Sequence, residues 1–129
     1  MKKVLIDTNA ISAFFRGNEE VLAIISGAEI VYMSVIVLGE LYAGFKQGAK
    51  EKQNRQLLAR FLAKPTVQVF DVSNETAEIF SDIMHTLRKN GTPIPTNDVW
   101  LAAQAFETGS ALITFDNHFK NIHGLRLAL

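Results

Sequence analysis

Val4-Leu5-Ile6-Asp7-Thr8-Asn9 is the stretch on which the reading of this chain turns. Residues 2–6 scarcely alternate between apolar and polar, so they read as a short strand buried on both faces. Asp7-Thr8-Asn9 then closes the strand and is also a helix N-cap signal. Helical spacing follows at Ala10, Ile11, Phe14 and Phe15 until Gly17-Asn18 interrupts it. An acid therefore stands at the junction between a buried strand and the helix after it.

The same alternation continues outward. Val21, Leu22, Ile24 and Ile25 extend a second short helix to Gly27, and Ile30 to Met33 is β-branched and aromatic, hence a strand. Ser34 is placed to cap a helix that runs to about Gln47, with Gly48 as its stop. Residues 50–63 form another helix, ended by Pro65, and Thr66 to Phe70 a third strand. Ser73 to Asn90 carries Ile79, Phe80, Ile83, Met84 and Leu87 at helical spacing. After the loop Thr92 to Pro95, a helix beginning at Thr96 or Asn97 runs through Glu107. Ala111 to Phe115 and Leu125 to Leu129 read as the last strands. Strands alternating with helices predict an α/β fold with a parallel sheet covered on both faces, and ligands in such folds collect at the carboxyl ends of the strands.

Composition narrows the class. At 129 residues, 48% hydrophobic and 20% charged, the chain is expected to be a single domain over 1–129. Burying roughly two thirds of its unfolded surface gives such a chain a core without metal or disulfide staples. The absence of cysteine excludes disulfide frameworks, zinc knuckles and thiol nucleophiles. The longest uncharged stretch, between Glu29 and Glu40, is ten residues, far below what a membrane helix needs, and the apolar run after Met1-Lys2-Lys3 is too short for a leader. The expectation is a cytoplasmic protein with no membrane partner. Thirteen Lys+Arg balance thirteen Asp+Glu, which argues against an overall basic field for nucleic acid but is silent on local patches.

Four acids occupy unusual positions. Asp7 directly follows the first strand and Asp116 lies just past Thr114-Phe115, so both are expected at the carboxyl edge of the sheet. Glu40 is the only charge between Glu29 and Lys46, inside the apolar helical run Val35 to Tyr42, where partial burial is expected unless that helix face opens on a cleft. Asp98 opens a helix on the face of Leu101, Ala102 and Ala105. Each alone has an ordinary explanation as a helix cap, a turn residue or a side chain reaching to solvent. Together they converge only around something positive, because carboxylates within a few Å repel or take up protons. Oxygen-only donors suit Mg²⁺ or Mn²⁺. His85, His118 and His123 lack zinc-helix spacing and read as surface or core residues. Glycine-rich phosphate loops and serine nucleophile elbows are missing.

At these residues the sequence resembles the PIN-domain family, and within it the VapC-type toxins of toxin–antitoxin pairs. The segments that carry the resemblance are Val4 to Asn9, Ser34 to Gly44 around Glu40, Asp98-Val-Trp-Leu-Ala-Ala103, and Leu112 to Phe119 around Asp116. It covers essentially the whole chain in order. The resemblance implies a three-layer α/β/α sandwich and a metal-dependent endoribonuclease whose acidic quartet falls on Asp7, Glu40, Asp98 and Asp116. Thr8, Asn9 and Thr114 match polar positions that orient the acids or a water. Val37 stands where many relatives carry a hydroxyl, and Asp116 falls on the most variable of the four acids. One or two Mg²⁺ or Mn²⁺ ions, an RNA substrate such as tRNA or rRNA, products with 5′-phosphate and 3′-hydroxyl ends, a cognate antitoxin and a homodimer are implied with it.

Other classes remain open on the residues alone. A receiver-like signalling domain also binds Mg²⁺ through strand-end acids, and Asp71 after the third strand would be its phosphoacceptor; Thr8-Asn9 stand where its second acid belongs. A dehalogenase-like phosphatase needs an acid where Asn9 stands. A catalytically silent PIN-like RNA-binding module shares the fold.

The zero net charge conceals a pattern. Residues 46–64 hold Lys46, Lys50, Lys52, Arg55, Arg60 and Lys64 against Glu51 alone, so this segment carries +5 and the remainder −5. A solvated helix face is the ordinary reading of such a run. Beside a metal site for phosphate, Lys46, Lys50, Lys52, Arg55 and Arg60 are candidates for contact with an RNA backbone.

Overall fold

The computed structural model of the chain describes residues 2–129; Met1 lies outside the described residues. The elements run β1 (Lys3–Ile6), α1 (Thr8–Phe15), α2 (Glu19–Gly27), β2 (Ile30–Ser34), α3 (Val35–Gln47), α4 (Glu51–Leu62), β3 (Val67–Phe70), α5 (Asn74–Lys89), α6 (Thr96–Thr108) and β4 (Ala111–Ile113). A 3₁₀ turn over Asn117–Asn121 follows β4. The strands form one parallel sheet in the order β3-β2-β1-β4.

This order explains the unbroken apolar run of β1. As an inner strand it is covered on both faces, and Val4, Leu5 and Ile6 are fully buried. Right-handed crossovers place the β1-to-β2 and β2-to-β3 helices on one face, and the β3-to-β4 helices, moving the opposite way, on the other. Packing of α1 against α2 and α3, and of α5 against α6, agrees with that division. The resulting reversal falls between β1 and β4, where crevices form at the carboxyl ends of strands.

Local chemistry sets the element ends. Ser34 Oγ accepts from Ile36 N at 3.0 Å and caps α3. Ser73 and Thr76 make a reciprocal capping box at the start of α5. Thr76 Oγ1 also donates to Glu107 at 2.5 Å, tying α5 to α6, and Phe80 stacks on Trp100 with ring centroids 4.0 Å apart. Helix α6 is mostly interior: Val99, Leu101, Ala102, Ala103 and Ala105 are buried.

Two expectations change. The strand predicted to Phe115 ends at Ile113, because Phe115 N donates to the Asn9 side chain rather than to a neighbouring strand. The strand predicted at Leu125 to Leu129 is reduced to a single bridge between Leu112 and Leu127. That bridge, with Leu112 N donating to Arg126 O and Ala128 N to Leu112 O, both at 2.8 Å, covers the outer edge of β4.

Topology also disposes of the receiver reading. Receiver domains use the order 2-1-3-4-5, which sets β3 beside β1. Here β2 separates them, so Asp71 ends an edge strand away from Asp7, and its side chain caps the backbone of Val72.

Phe119 is fully buried and anchors the 3₁₀ turn to the core. Phe119→Ala is expected to cost about 3–5 kcal/mol, read as a fall in the urea midpoint at unchanged slope.

Candidate metal centre

The site is built where β1 and β4 end side by side. Asp7 N continues the ladder, donating to Ile113 O at 2.9 Å, so Asp7 and Thr114 emerge at the same level. Thr114 Oγ1 donates to Asp7 Oδ2 at 2.7 Å, and Thr8 N donates to Asp7 Oδ1 at 2.7 Å. The second bond is the N-cap of α1, so the helix-cap reading of Asp7 and the site reading are both realised by one side chain. Thr8 Oγ1 donates to Glu40 Oε1 at 2.7 Å, bringing α3 to the same edge. Thr114 Oγ1 accepts from Asp116 N at 3.0 Å, and Asn9 Oδ1 accepts from Phe115 N at 3.1 Å; together they hold the β4 exit loop against the start of α1.

The expected acids therefore come together at one edge of the sheet, with a different burial for each. Asp7 is buried, at 5% exposure, and Asp98 and Asp116 are half-buried. Glu40 is exposed, so the open helix face, and not partial burial, is realised for it. Val37 and Leu41 take the inward face of α3, while Gly39, Glu40, Ala43 and Gly44 take the open one.

The electrostatics call for a cation. Burial, with the nearby charges of Asp98 and Glu40 adding to it, pushes the Asp7 carboxyl from 3.8 up to about 6 despite the two hydrogen bonds that oppose the shift. Asp98 is raised as well, chiefly by burial, with Asp116 and Glu40 contributing and a hydrogen bond from His118 opposing. Among the described residues, no Lys or Arg lies within salt-bridge distance of the four acids. Ligand atoms of Asp98, Asp116 and His118 all lie within 4.8 Å of one another. Hard oxygen donors around an uncompensated buried carboxylate fit a divalent cation.

His118 is the site residue that the sequence reading put among surface or core residues. Its Nδ1 lies 3.2 Å from Asp98 Oδ2 and 3.0 Å from Asp116 Oδ1. The signal that would have found it is its place two residues after a strand-end acid. His85 and His123 are exposed and take no part in the group.

The basic run is not a single surface. Lys46 and Arg55 both pair with Glu51, at 3.6 and 3.1 Å, and the Arg55 guanidinium lies 4.5 Å from the centre of the Tyr42 ring. Lys52 and Arg55 border a groove with Gln56 and Ala59, whereas Arg60 and Lys64 border another with Phe14, Phe15 and Phe61. Glu40 and Tyr42, two residues apart, point about 200° apart around α3. Helix α4 therefore docks on the side of α3 away from the acids.

A strand-end acid at the reversal of a β3-β2-β1-β4 parallel sheet, joined by acids from α3, α6 and the β4 exit, defines a PIN domain. The chain belongs to this family, whose model matches residues 4–125. Among its relatives, ribonuclease VapC2 of Haemophilus influenzae is 30% identical over 129 residues, covering 98% of this chain and 96% of the relative. The crystal structure of DNA-bound VapBC from Salmonella typhimurium superposes with a TM-score of 0.86 at 25% identity, covering 98% of this chain and 97% of that one. VapBC2 from Rickettsia felis, bound to a DNA fragment from its promoter, gives 0.85 at 25% identity, covering 97% and 96%.

A raised carboxylate pKa costs stability when the group is ionised. Asp7 binds its proton more tightly folded than unfolded, so stability is lost as pH rises from 3.8 through about 6. In the presence of EDTA, Asp7→Asn is expected to stabilise the protein at pH 7.5 by on the order of 2–3 kcal/mol. Thermal melts should show that gain shrinking toward zero near pH 4.

Proposed function

We propose that this chain is a VapC-type, metal-dependent endoribonuclease that acts in the cytoplasm as a toxin, cleaving tRNA or rRNA and halting translation until a cognate antitoxin neutralises it. The observation that carries the reading is the buried Asp7 carboxylate, pushed up to about 6 among three further acids with no Lys or Arg beside them among the described residues. Kinship with ribonuclease VapC2 and with VapBC assemblies supports the class of reaction and the antitoxin partner. No described helix is long and apolar enough to cross a membrane. The chain works as one nuclease unit, paired as a homodimer.

Asp7, Asp98, Asp116 and Glu40 would hold one or two Mg²⁺ or Mn²⁺ ions. A divalent ion there supplies the positive charge that lets a phosphodiester approach four carboxylates and makes a nearby water more acidic. Asp7 presents its carboxylate in one orientation because Thr114 and the α1 backbone each hold one oxygen. Thr8 does the same for Glu40, and Asn9 fixes the loop that leads to Asp116. Water as the attacking group leaves 5′-phosphate and 3′-hydroxyl ends. The small, open face of Gly39, Ala43 and Gly44 beside Glu40 leaves room for a nucleic-acid backbone.

The purified protein is expected to cleave RNA with Mg²⁺ or Mn²⁺ and not with EDTA. Asp7→Asn and Asp98→Asn should each lower the rate by at least about 100-fold. Undiminished cleavage by Asp7→Asn would remove the assignment, and metal-independent RNA binding without cleavage would favour the silent module instead.

Lys46, Lys50, Lys52, Arg55 and Arg60 are proposed to contact the RNA backbone away from the scissile bond, since α3 stands between α4 and the acids. Replacing Lys52, Arg55 and Arg60 with Gln is expected to raise KM and to flatten its dependence on salt by about two to three units of log–log slope. With kcat at saturating RNA unchanged, these cations contribute binding from their two grooves; an unaltered KM would return them to solvated helix faces.

A further inference from the structure

His118 lies against two of the acids yet has no place in the oxygen-only donor set. Its position is not that of a loose surface side chain. Next to it, Phe119 is fully buried and pins the 3₁₀ turn, while His118 N donates to Asp116 Oδ1 at 2.9 Å and fixes the backbone from which the ring projects. The ring nitrogen then faces two carboxylates from different elements, Asp98 at the start of α6 and Asp116 after β4.

Two of the three donor spacings match a coordination shell as well as a hydrogen bond. Adjacent donors of an octahedral ion with ~2.1 Å bonds stand ~3.0 Å apart. The Nδ1 to Oδ separations are 3.2 and 3.0 Å. With all three ligand atoms within 4.8 Å of one another, they can close on one ion, and a lone pair on Nδ1 would replace the hydrogen bond the ring now makes.

The geometry points to His118 as a nitrogen ligand that, with Asp98 and Asp116, biases this site toward a first-row transition-metal ion, of which Mn²⁺ is the probe, over Mg²⁺. The inference rests on the metal-dependent reading given above. Mg²⁺ holds oxygen donors and gives up water reluctantly, whereas imidazole suits first-row transition ions most strongly from Fe²⁺ to Zn²⁺; Mn²⁺, the weakest binder of that row, still accepts nitrogen more readily than Mg²⁺ does. A nitrogen in the donor set therefore adds more to Mn²⁺ binding than to Mg²⁺ binding. Asp7 and Glu40, joined through Thr8, offer only oxygen and do not discriminate in this way.

The test uses the full, tag-free chain stripped of metal, with no RNA present. Calorimetric titrations with Mn²⁺ and Mg²⁺ are compared for the wild type, His118→Ala and Asp98→Asn, and pulsed EPR of the Mn²⁺ form reads nitrogen coupling to the ion. His118→Ala is expected to weaken Mn²⁺ by at least about tenfold while changing Mg²⁺ by less than about threefold. Nitrogen coupling should be present in the wild type, absent in His118→Ala, and retained in His85→Ala and His123→Ala. His118 is half exposed at 49%, so its removal leaves the fold intact. Mn²⁺ bound without nitrogen coupling, or an unchanged Mn²⁺-to-Mg²⁺ ratio in His118→Ala, overturns the inference and leaves the metal-dependent reading standing. Failure of the wild type to bind either ion, or equal binding by Asp98→Asn, overturns both.

Discussion

The buried carboxylate of Asp7 is the constraint around which the rest of the molecule is arranged. It sits at the end of an inner strand, where solvent is least available to stabilise charge, and burial is the largest cause of its raised pKa. Two hydrogen bonds and the N-terminus of α1 offset part of that cost. Asp98 and Glu40 add to it. Thr114 and Thr8 are each used twice, Thr114 between Asp7 and the Asp116 backbone and Thr8 between Asp7 and Glu40. The acids are thus coupled through shared hydroxyl and backbone donors, and displacing one element disturbs the others.

Most of the frame was legible because its signals are local. A double-sided strand shows as an unbroken apolar run, and the caps at Asp7, Ser34 and Ser73 are short-range bonds between a side chain and the backbone just after it. The failures are tertiary. For Glu40 the sequence leaves burial and an open face undecided, because α3 is apolar throughout and its open face is made of Gly39, Ala43 and Gly44, small residues that hydropathy does not separate from core. The bridge at Leu127 needs only one ladder partner, which no propensity reports. His118 meets Asp98 across 20 residues of sequence, and that meeting is produced by the burial of Phe119 next door rather than by spacing.

Helix α3 divides the charges of the molecule. On one side Glu40 faces the acids; on the other, Tyr42 and Lys46 receive Arg55 and Glu51 of α4. Such a separation suits the proposed cation site. A Lys or Arg within ~4 Å of Asp7 or Asp98 would pair with it, lower its pKa and compete with any metal. Packed helices stand about 8–10 Å apart, close to the Debye length of ~8 Å at physiological salt. One helix of separation therefore screens the basic run from the acids and leaves both on the path of a polyanion longer than that distance. On the proposed reading, a chain with no net charge attracts RNA through α4 and hydrolyses it at the β1 and β4 ends, and the two tasks stay compatible because α3 keeps their charges apart.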